Sequence, residues 1–394
     1  MIKKTMALLT LITIVFAAVP VFAQEEKPVA VSIQTMEKKA TEKIELSLED
    51  AISMALENNP RLIAADATIK SAEMSLVIAR DTGDEYEDME KALKKIPGVS
   101  LAVNISNGLE QAYLKHGYYI EAAKVCVELA TMAKSQVEAA IAYEVTQKYY
   151  NVKLMESLVE IASTGLKVAN DNLIMMENQF EAGYVPAIEV QNAKNAVIRA
   201  EYTLSSYDRN LELAKKNLKV SLQIDDYDCD VVLTEEIVMP SMPENVEELI
   251  KSAIESRYDM TAAKKDYELK TKMFDITKFY VTDKTAMYHS AYSEYLNAEY
   301  TYNNAVEMIT IALESEYASI LTAADEIIAC ENDVEVAKAM YESRKTMYDL
   351  GLITNLELTG VMAELDSSRM QLENARVNYA LAVVKFFYST TVGI

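Results

Sequence analysis

The sequence predicts an all-α dominated protein, a tandem repeat of long antiparallel coiled-coil helical hairpins with at most a small β element near 96–107. Three observations lead there. Turn residues are scarce: nine Gly and seven Pro make up about 4% of 394 residues, against roughly 12% in an average chain. Apolar residues step by three and four over long stretches. The same stepping returns 168 residues later. So few turns exclude β-sandwiches and propellers, which need one about every ten residues, and argue against doubly wound α/β folds with Gly-rich loops.

The elements follow in order. Met1-Ile2-Lys3-Lys4 is a short positive region, Met6–Phe22 is apolar, and Val21-Phe22-Ala23 resembles a cleavage site. Residues 1–23 therefore read as a secretory signal peptide. The alternative, an uncleaved anchor, has a run near the lower length limit for a span. No later stretch reaches 18 apolar residues. Residues 24–45 are polar without periodicity and read as a flexible leader. Ser47 followed by Glu49-Asp50 is an N-cap with an acidic first turn, and Pro60 breaks that helix or opens the next. A helix over about Arg61–Arg80 is expected to stop at Asp81-Thr82-Gly83-Asp84. Val99, Leu101, Val103 and Ile105 alternate with smaller or polar residues, as in a strand. From about Leu109 to Glu181 the pattern reads as one long helix, weakly punctuated by Gly117 and Gly165.

Inside that helix Val152, Met155, Val159, Ala162, Leu166 and onward to Phe180 step 3,4,3,4. A 3.5-residue repeat keeps an apolar seam facing a partner helix. Gly183 and Pro186 break the rod, and Val190, Ala193, Val197, Ala200 and onward to Leu218 resume the stepping. Adding 168 reproduces the unit from Ile320 to Tyr348, a second break at Gly351, and Leu358 to Phe386. Arg344 alone is out of character. The front also repeats, Ala51–Glu57 answering Leu249–Glu255 at an offset of 198. The first repeat thus spans 46–224, a linker 225–243, and the second repeat 244–394. A helix of 65 residues is roughly 95 Å long. Such a hairpin cannot hide all its apolar faces alone, so side-by-side packing with other copies is expected.

The formal net charge of −23 opposes nucleic-acid binding. Cys126, Cys229 and Cys330 form no CxxC and cannot all pair within the chain, and Cys126 and Cys330 read as small buried hydrophobes. His116 and His289 stand far apart without a catalytic partner pattern. Asp225–Asp230 lacks the Gly and Glu of a calcium loop and reads as solvated linker. No P-loop, GxGxxG or GxSxG is present. No catalytic residue, metal site or cofactor follows, and the chain does not read as an enzyme.

The chain resembles the TolC family of outer-membrane efflux proteins over about 45–394. The likeness is carried by Leu48-Glu49-Asp50-Ala51 running to Asn58-Asn59-Pro60-Arg61-Leu62, by Arg257-Tyr258-Asp259-Met260, by aromatic-x-x-Gly at Phe180–Gly183 and Tyr348–Gly351, and by Asn378-Tyr379-Ala380-Leu381. The resemblance implies a homotrimer whose six hairpins form a tapering tunnel, normally crowned by a twelve-stranded barrel in the outer membrane. It implies a periplasmic adaptor, or membrane fusion protein, and an inner-membrane pump docking at the tips, Gly183, Tyr184, Val185, Gly351, Leu352 and Ile353. It places Glu189 and Glu357 at the tunnel constriction, where like charges favour cations and resist closure. A solvated pair of surface carboxylates is the plainer alternative. The implied location is the cell envelope.

Two departures stand out. Lys272–Leu296, where the family has its second strand pair, lacks Gly, Pro and strand alternation and reads as helix. Ile353 and Gly360 replace an arginine and an acidic residue of the family's tip. Tyr288, Tyr292, Tyr295, Tyr300 and Tyr302 read as helix–helix contacts in place of a barrel, with a membrane-interface belt as the alternative. The expectation is a TolC-like export duct; the alternative is an exported, barrel-less helical scaffold.

Overall fold

The computed structural model describes residues 43–57, 59–93, 95, 105–224 and 229–393. The signal peptide and residues 24–42 lie outside them, as do Asp225–Asp228 of the linker. Strand β1 (Lys43–Leu46) pairs in parallel with β2 (Asp230–Leu233), Lys43 opposite Asp230 and Leu46 opposite Leu233. The expected leader therefore ends earlier than residue 45, and the linker carries a strand. Both belong to the core: Val231 is fully buried, and the buried Tyr149 hydroxyl donates to Leu46 O and accepts from Glu235 N.

Helix α1 (Leu48–Leu56) starts where Ser47 Oγ accepts from Asp50 N at 3.1 Å. Buried Asn59 closes it by donating to Ala55 O at 2.8 Å, and accepts from Arg61 N at 3.0 Å as α2 (Pro60–Leu93) begins. The stop expected at 81–84 does not occur. Gly83 faces α4 (Tyr118–Glu181), where a Cβ would lie 3.3 Å from Ile120 Cδ1, and Thr82 Oγ1 folds back onto Ile78 O. Close packing overrides the weak local propensity. Beyond it, Glu87 and Asp88 both pair with Lys91.

Of the expected β element at 96–107, residues 96–104 lie outside the described residues, and Ile105–Asn107 begin α3 (Ile105–Lys115). The helix expected over 109–181 is broken: Gly117, at φ +64°, separates α3 from α4. Then come α5 (Ala187–Ser221), α6 (Val246–Ser256), α7 (Tyr258–Tyr280), α8 (Ala286–Asp349) and α9 (Asn355–Thr391).

The duplication is visible in the helix bounds. α4 and α8 each have 64 residues and begin 168 apart, as do α5 and α9. α1 and α6, and likewise α2 and α7, begin 198 apart. The 30-residue difference falls at one place: Pro60 to Tyr118 takes 58 residues, Tyr258 to Ala286 only 28.

Two cores hold the middle of the rods. One gathers β1, β2, Ala51 and Ala55 around Ile141–Leu158 of α4, with Leu218 of α5 and Val377 and Ala380 of α9. The other gathers Ile250 and Ala253 around Ile309–Ala323 of α8, with Tyr379, Val383 and Phe386 of α9. α9 serves both with different faces. Ala55 and Ala253, 198 apart, are both fully buried, so α1 and α6 can lie close on their long helices. Burying side chains of the size of Leu313 or Phe386 stabilises by about 1.5–3 kcal/mol each. The end of α9 is clamped: Arg257 binds Asp259 through two nitrogens and donates to Ser389 O at 2.7 Å, and Gln136 donates to Val392 O.

Opposite the hairpin tips, α7 and α8 meet across only Val281–Thr285. Phe274 packs against Tyr288, Tyr292 and Tyr295, and Tyr267 stacks on Tyr302 with centroids 5.8 Å apart. Thr277, fully buried, shares a 2.7 Å hydrogen bond with Tyr113. Four of the five tyrosines are thus helix–helix contacts; Tyr300 is exposed. Residues 229–393 are described without a gap and contain no strand after Leu233. Membrane strands need about 9–11 residues. Among the described residues the strands have four residues each, and no helix is long and apolar enough to cross a membrane.

Candidate functional site

The two tips share one backbone. At the first, Gly183 N donates to Phe180 O at 2.9 Å and Tyr184 N to Gln179 O at 2.8 Å. At the second, Gly351 N donates to Tyr348 O at 2.8 Å and Leu352 N to Met347 O at 2.9 Å. Both are Schellman caps. Gly183 and Gly351 have φ of +78° and +69°, and a Cβ at either position would meet nothing within 4 Å, so conformation alone demands glycine there. The caps throw large apolar groups outward: Tyr184 is 83% exposed and Leu352 69%. Val185 and Ile353 turn inward and are half-buried. Leu350, Ile188 and Leu356, also exposed, extend the patch.

The seams behind the tips pack as the spacing requires. Val152, Ala162, Ala169 and Met176 of α4 are buried, as are Ala193, Val197, Ala214 and Leu218 of α5. Cys330 is half-buried on the equivalent seam of α8. Cys126 is exposed, contrary to expectation, because it falls on the outward face of α4. Cys229 is buried beside β2. His116 Nε2 lies 3.3 Å from the Tyr280 hydroxyl at the far end of the rods, and His289 is exposed there; neither approaches the tips. No cluster of three or more His, Cys, Asp or Glu that could hold a metal occurs among the described residues.

Glu189 and Glu357 stand at matching positions yet do different things. Thr354 caps α9 by accepting from Glu357 N at 3.3 Å, while Glu357 Oε2 accepts from Thr354 N at 2.9 Å, a reciprocal capping box. These bonds, the backbone one foremost, hold the Glu357 carboxyl below its usual range. The first tip has Pro186 at the N-cap, which offers no N–H and no hydroxyl. Glu189 is therefore free of a cap, and its Oε2 is shut from solvent without a hydrogen-bond partner among the described residues. It stands near Tyr348 of the other hairpin: burial pushes that phenol up, and the negative charges of Glu189 and Asp349 push it further. The Tyr348 hydroxyl reaches Met176 Sδ at 3.6 Å, and Tyr207 reaches Met370 Sδ at 3.2 Å, so both contacts tie one hairpin to the other. The sequence pattern marks Tyr348 as the last seam residue of α8 and the aromatic of the second tip. Its cross-hairpin role has no signal in spacing. The Thr354-x-x-Glu357 capping box does have one, in the residue types themselves.

Known proteins share this fold. Residues 279–386 match the outer membrane efflux protein family. Those residues take in the last two of α7, all of α8 and most of α9, the second hairpin. A solved membrane protein from Pseudomonas aeruginosa superposes with a TM-score of 0.67 at 15% identity, covering 95% of this chain and 97% of that one. The fold is TolC-like. The outer membrane protein VceC of Vibrio cholerae gives a TM-score of 0.65 at 17% identity, over 88% of this chain and 97% of VceC. The CmeC outer membrane channel of Campylobacter jejuni gives 0.62 at 12% identity, over 95% and 94%. No curated protein matches by sequence. At such identities the TolC-like backbone is shared while the side chains that line it are this chain's own.

Proposed function

We propose that the chain is a wall segment of a TolC-like export duct in the cell envelope, a transport component and not an enzyme. Three copies set six hairpins in a ring, and the tips dock a periplasmic adaptor that brings an inner-membrane pump. One observation carries the reading. Two hairpins that turn on the same glycine cap leave large apolar side chains uncovered along their outer faces. Ile198, Tyr202 and Leu213 on α5 and Ile311, Ile328 and Val336 on α8 are each more than half exposed. Extended apolar surface of this kind marks a contact with other chains, and a rod can cover it only along its length. Tyr184 and Leu352 meet the adaptor, and Glu189 and Glu357 approach the axis near the narrow end.

At the opposite end the second repeat supplies helices in place of strands, so the duct we propose closes in a helical cap and not in a twelve-stranded barrel. The same observation favours a second reading, a barrel-less envelope scaffold that packs by the same faces without conducting. Paired Tyr184→Asp and Leu352→Asp substitutions separate docking from assembly. Export in a strain relying on this chain is expected to be lost while the assembly keeps its mass. Undiminished export contradicts docking at the tips. A conducting pore in planar bilayers favours the duct; a sealed bilayer with intact assembly favours the scaffold.

A further inference from the structure

Between the two hairpins of a single chain lies a groove of about 850 Å³. Its walls come from α4 at 162–175, α5 at 192–203, α8 at 341–349 and α9 at 356–370. Met175, Met362 and Met370 give it soft, adaptable apolar sides. The charges on its rim balance, Asp171 and Asp349 against Arg199 and Lys345, and all four are exposed.

One charge is set into the wall. The Asp366 side chain is only 18% exposed, and its ion pair is with Arg369 of its own helix at 3.5 Å, itself 41% exposed. Opposite stands Gly165 of α4, where a Cβ would come within 2.9 Å of Asp366 Oδ2. The carboxylate thus fills the space that a side chain at 165 would take. Asn172, two turns further along the same face of α4, also lines the groove. Its Oδ1 and Nδ2 are shut from solvent without a hydrogen-bond partner among the described residues.

A poorly solvated carboxylate beside methionines, with one partly exposed guanidinium for company, gains most from a cation that carries its own apolar body. An anion meets repulsion there, and a neutral molecule gains only the apolar contact. We propose that this groove is a binding site for organic monocations with an apolar chain, the head at Asp366 and the chain along the methionines. The inference concerns the wall of one chain and stands whether or not the chains assemble into a duct.

Titration calorimetry on the full chain tests it, with dodecyltrimethylammonium below its micelle concentration as the probe and dodecyl sulfate and dodecyl maltoside as matched controls. The cation is expected to bind saturably at one site per chain, at least tenfold tighter than either control. Asp366→Asn is expected to weaken it tenfold or more, and Glu314→Gln, an exposed carboxylate of α8 outside the groove, to leave it unchanged. Arg369→Gln, which removes the competing cation at a partly exposed position, is expected to tighten it. This variant tests the site even if Asp366→Asn fails to fold. Equal binding of the maltoside, an Asp366→Asn variant that binds like the parent, or weaker binding in Arg369→Gln overturns the proposal.

Discussion

The first tip and the second tip have the same turn and different shoulders. Both end a 64-residue helix in a Schellman cap on glycine. The second helix then restarts on Thr354 and Glu357, which satisfy each other, whereas the first restarts on Pro186, which has no N–H to offer the Glu189 carboxylate. Duplication preserved the element that sets chain direction and released the one that sets charge. A carboxylate locked in a cap is fixed in place. One left free beside a tyrosine of the opposite hairpin is available to respond when the hairpins move.

The glycine substitutions test what the tips share and should have the largest effect. Gly183→Ala and Gly351→Ala force a side chain into left-handed backbone at a cost of about 1–2 kcal/mol each. Hydrogen exchange at Tyr184 and Leu352 should report a similar loss of protection in both; a loss at one tip only breaks the equivalence. Removing the cap tests what they do not share. Thr354→Ala should destabilise the start of α9 by about 1 kcal/mol, while Pro186→Ala should change the start of α5 far less, read by the same exchange method.

Acidity sharpens the contrast further. The Glu357 carboxyl is depressed, so its stabilising share is present above the ordinary carboxyl range and is lost as pH falls through its folded value. Glu357→Gln should flatten that acid limb in thermal melts, and an unchanged limb removes the capping box from the account. Asp366, nine residues along the same helix, has the opposite sign. Burial pushes it up against the pull of Arg369, so its ionised form costs stability above its folded value and the cost disappears as pH falls. Asp171 of α4, Arg199 of α5 and Lys345 and Asp349 of α8 share its groove. Asp366→Asn should therefore melt slightly higher at neutral pH and converge with the parent in acid; a lower neutral melting temperature contradicts this.

Much of the fold was legible because periodicity reports packing directly. Every seam residue of α5 from Val190 to Leu218 is buried or half-buried, since a 3.5-residue step leaves it no other side to face. The glycines at 183 and 351 were legible because left-handed backbone selects for them. Local composition misled where a tertiary contact outweighed it. Asp81-Thr82-Gly83-Asp84 looks like a helix end but lies inside α2, since glycine there admits Ile120. Gly117 looked like weak punctuation and proved a true break. The strand pairing of Lys43 with Asp230 was not legible, because four-residue strands 187 positions apart leave no repeat to detect. The positions of the two turns were legible by symmetry, but the neighbour of Glu189 was not: the approach of Glu189 to Tyr348 depends on how two hairpins lean together.

The mass of the full chain in solution, purified from the cell envelope and measured by light scattering, bears most directly on the whole picture. Rods built to cover one another's apolar flanks should give three times the chain mass, stable on dilution into the low micromolar range. A persistent monomer, with Tyr202 and Ile311 still open to solvent probes, contradicts it.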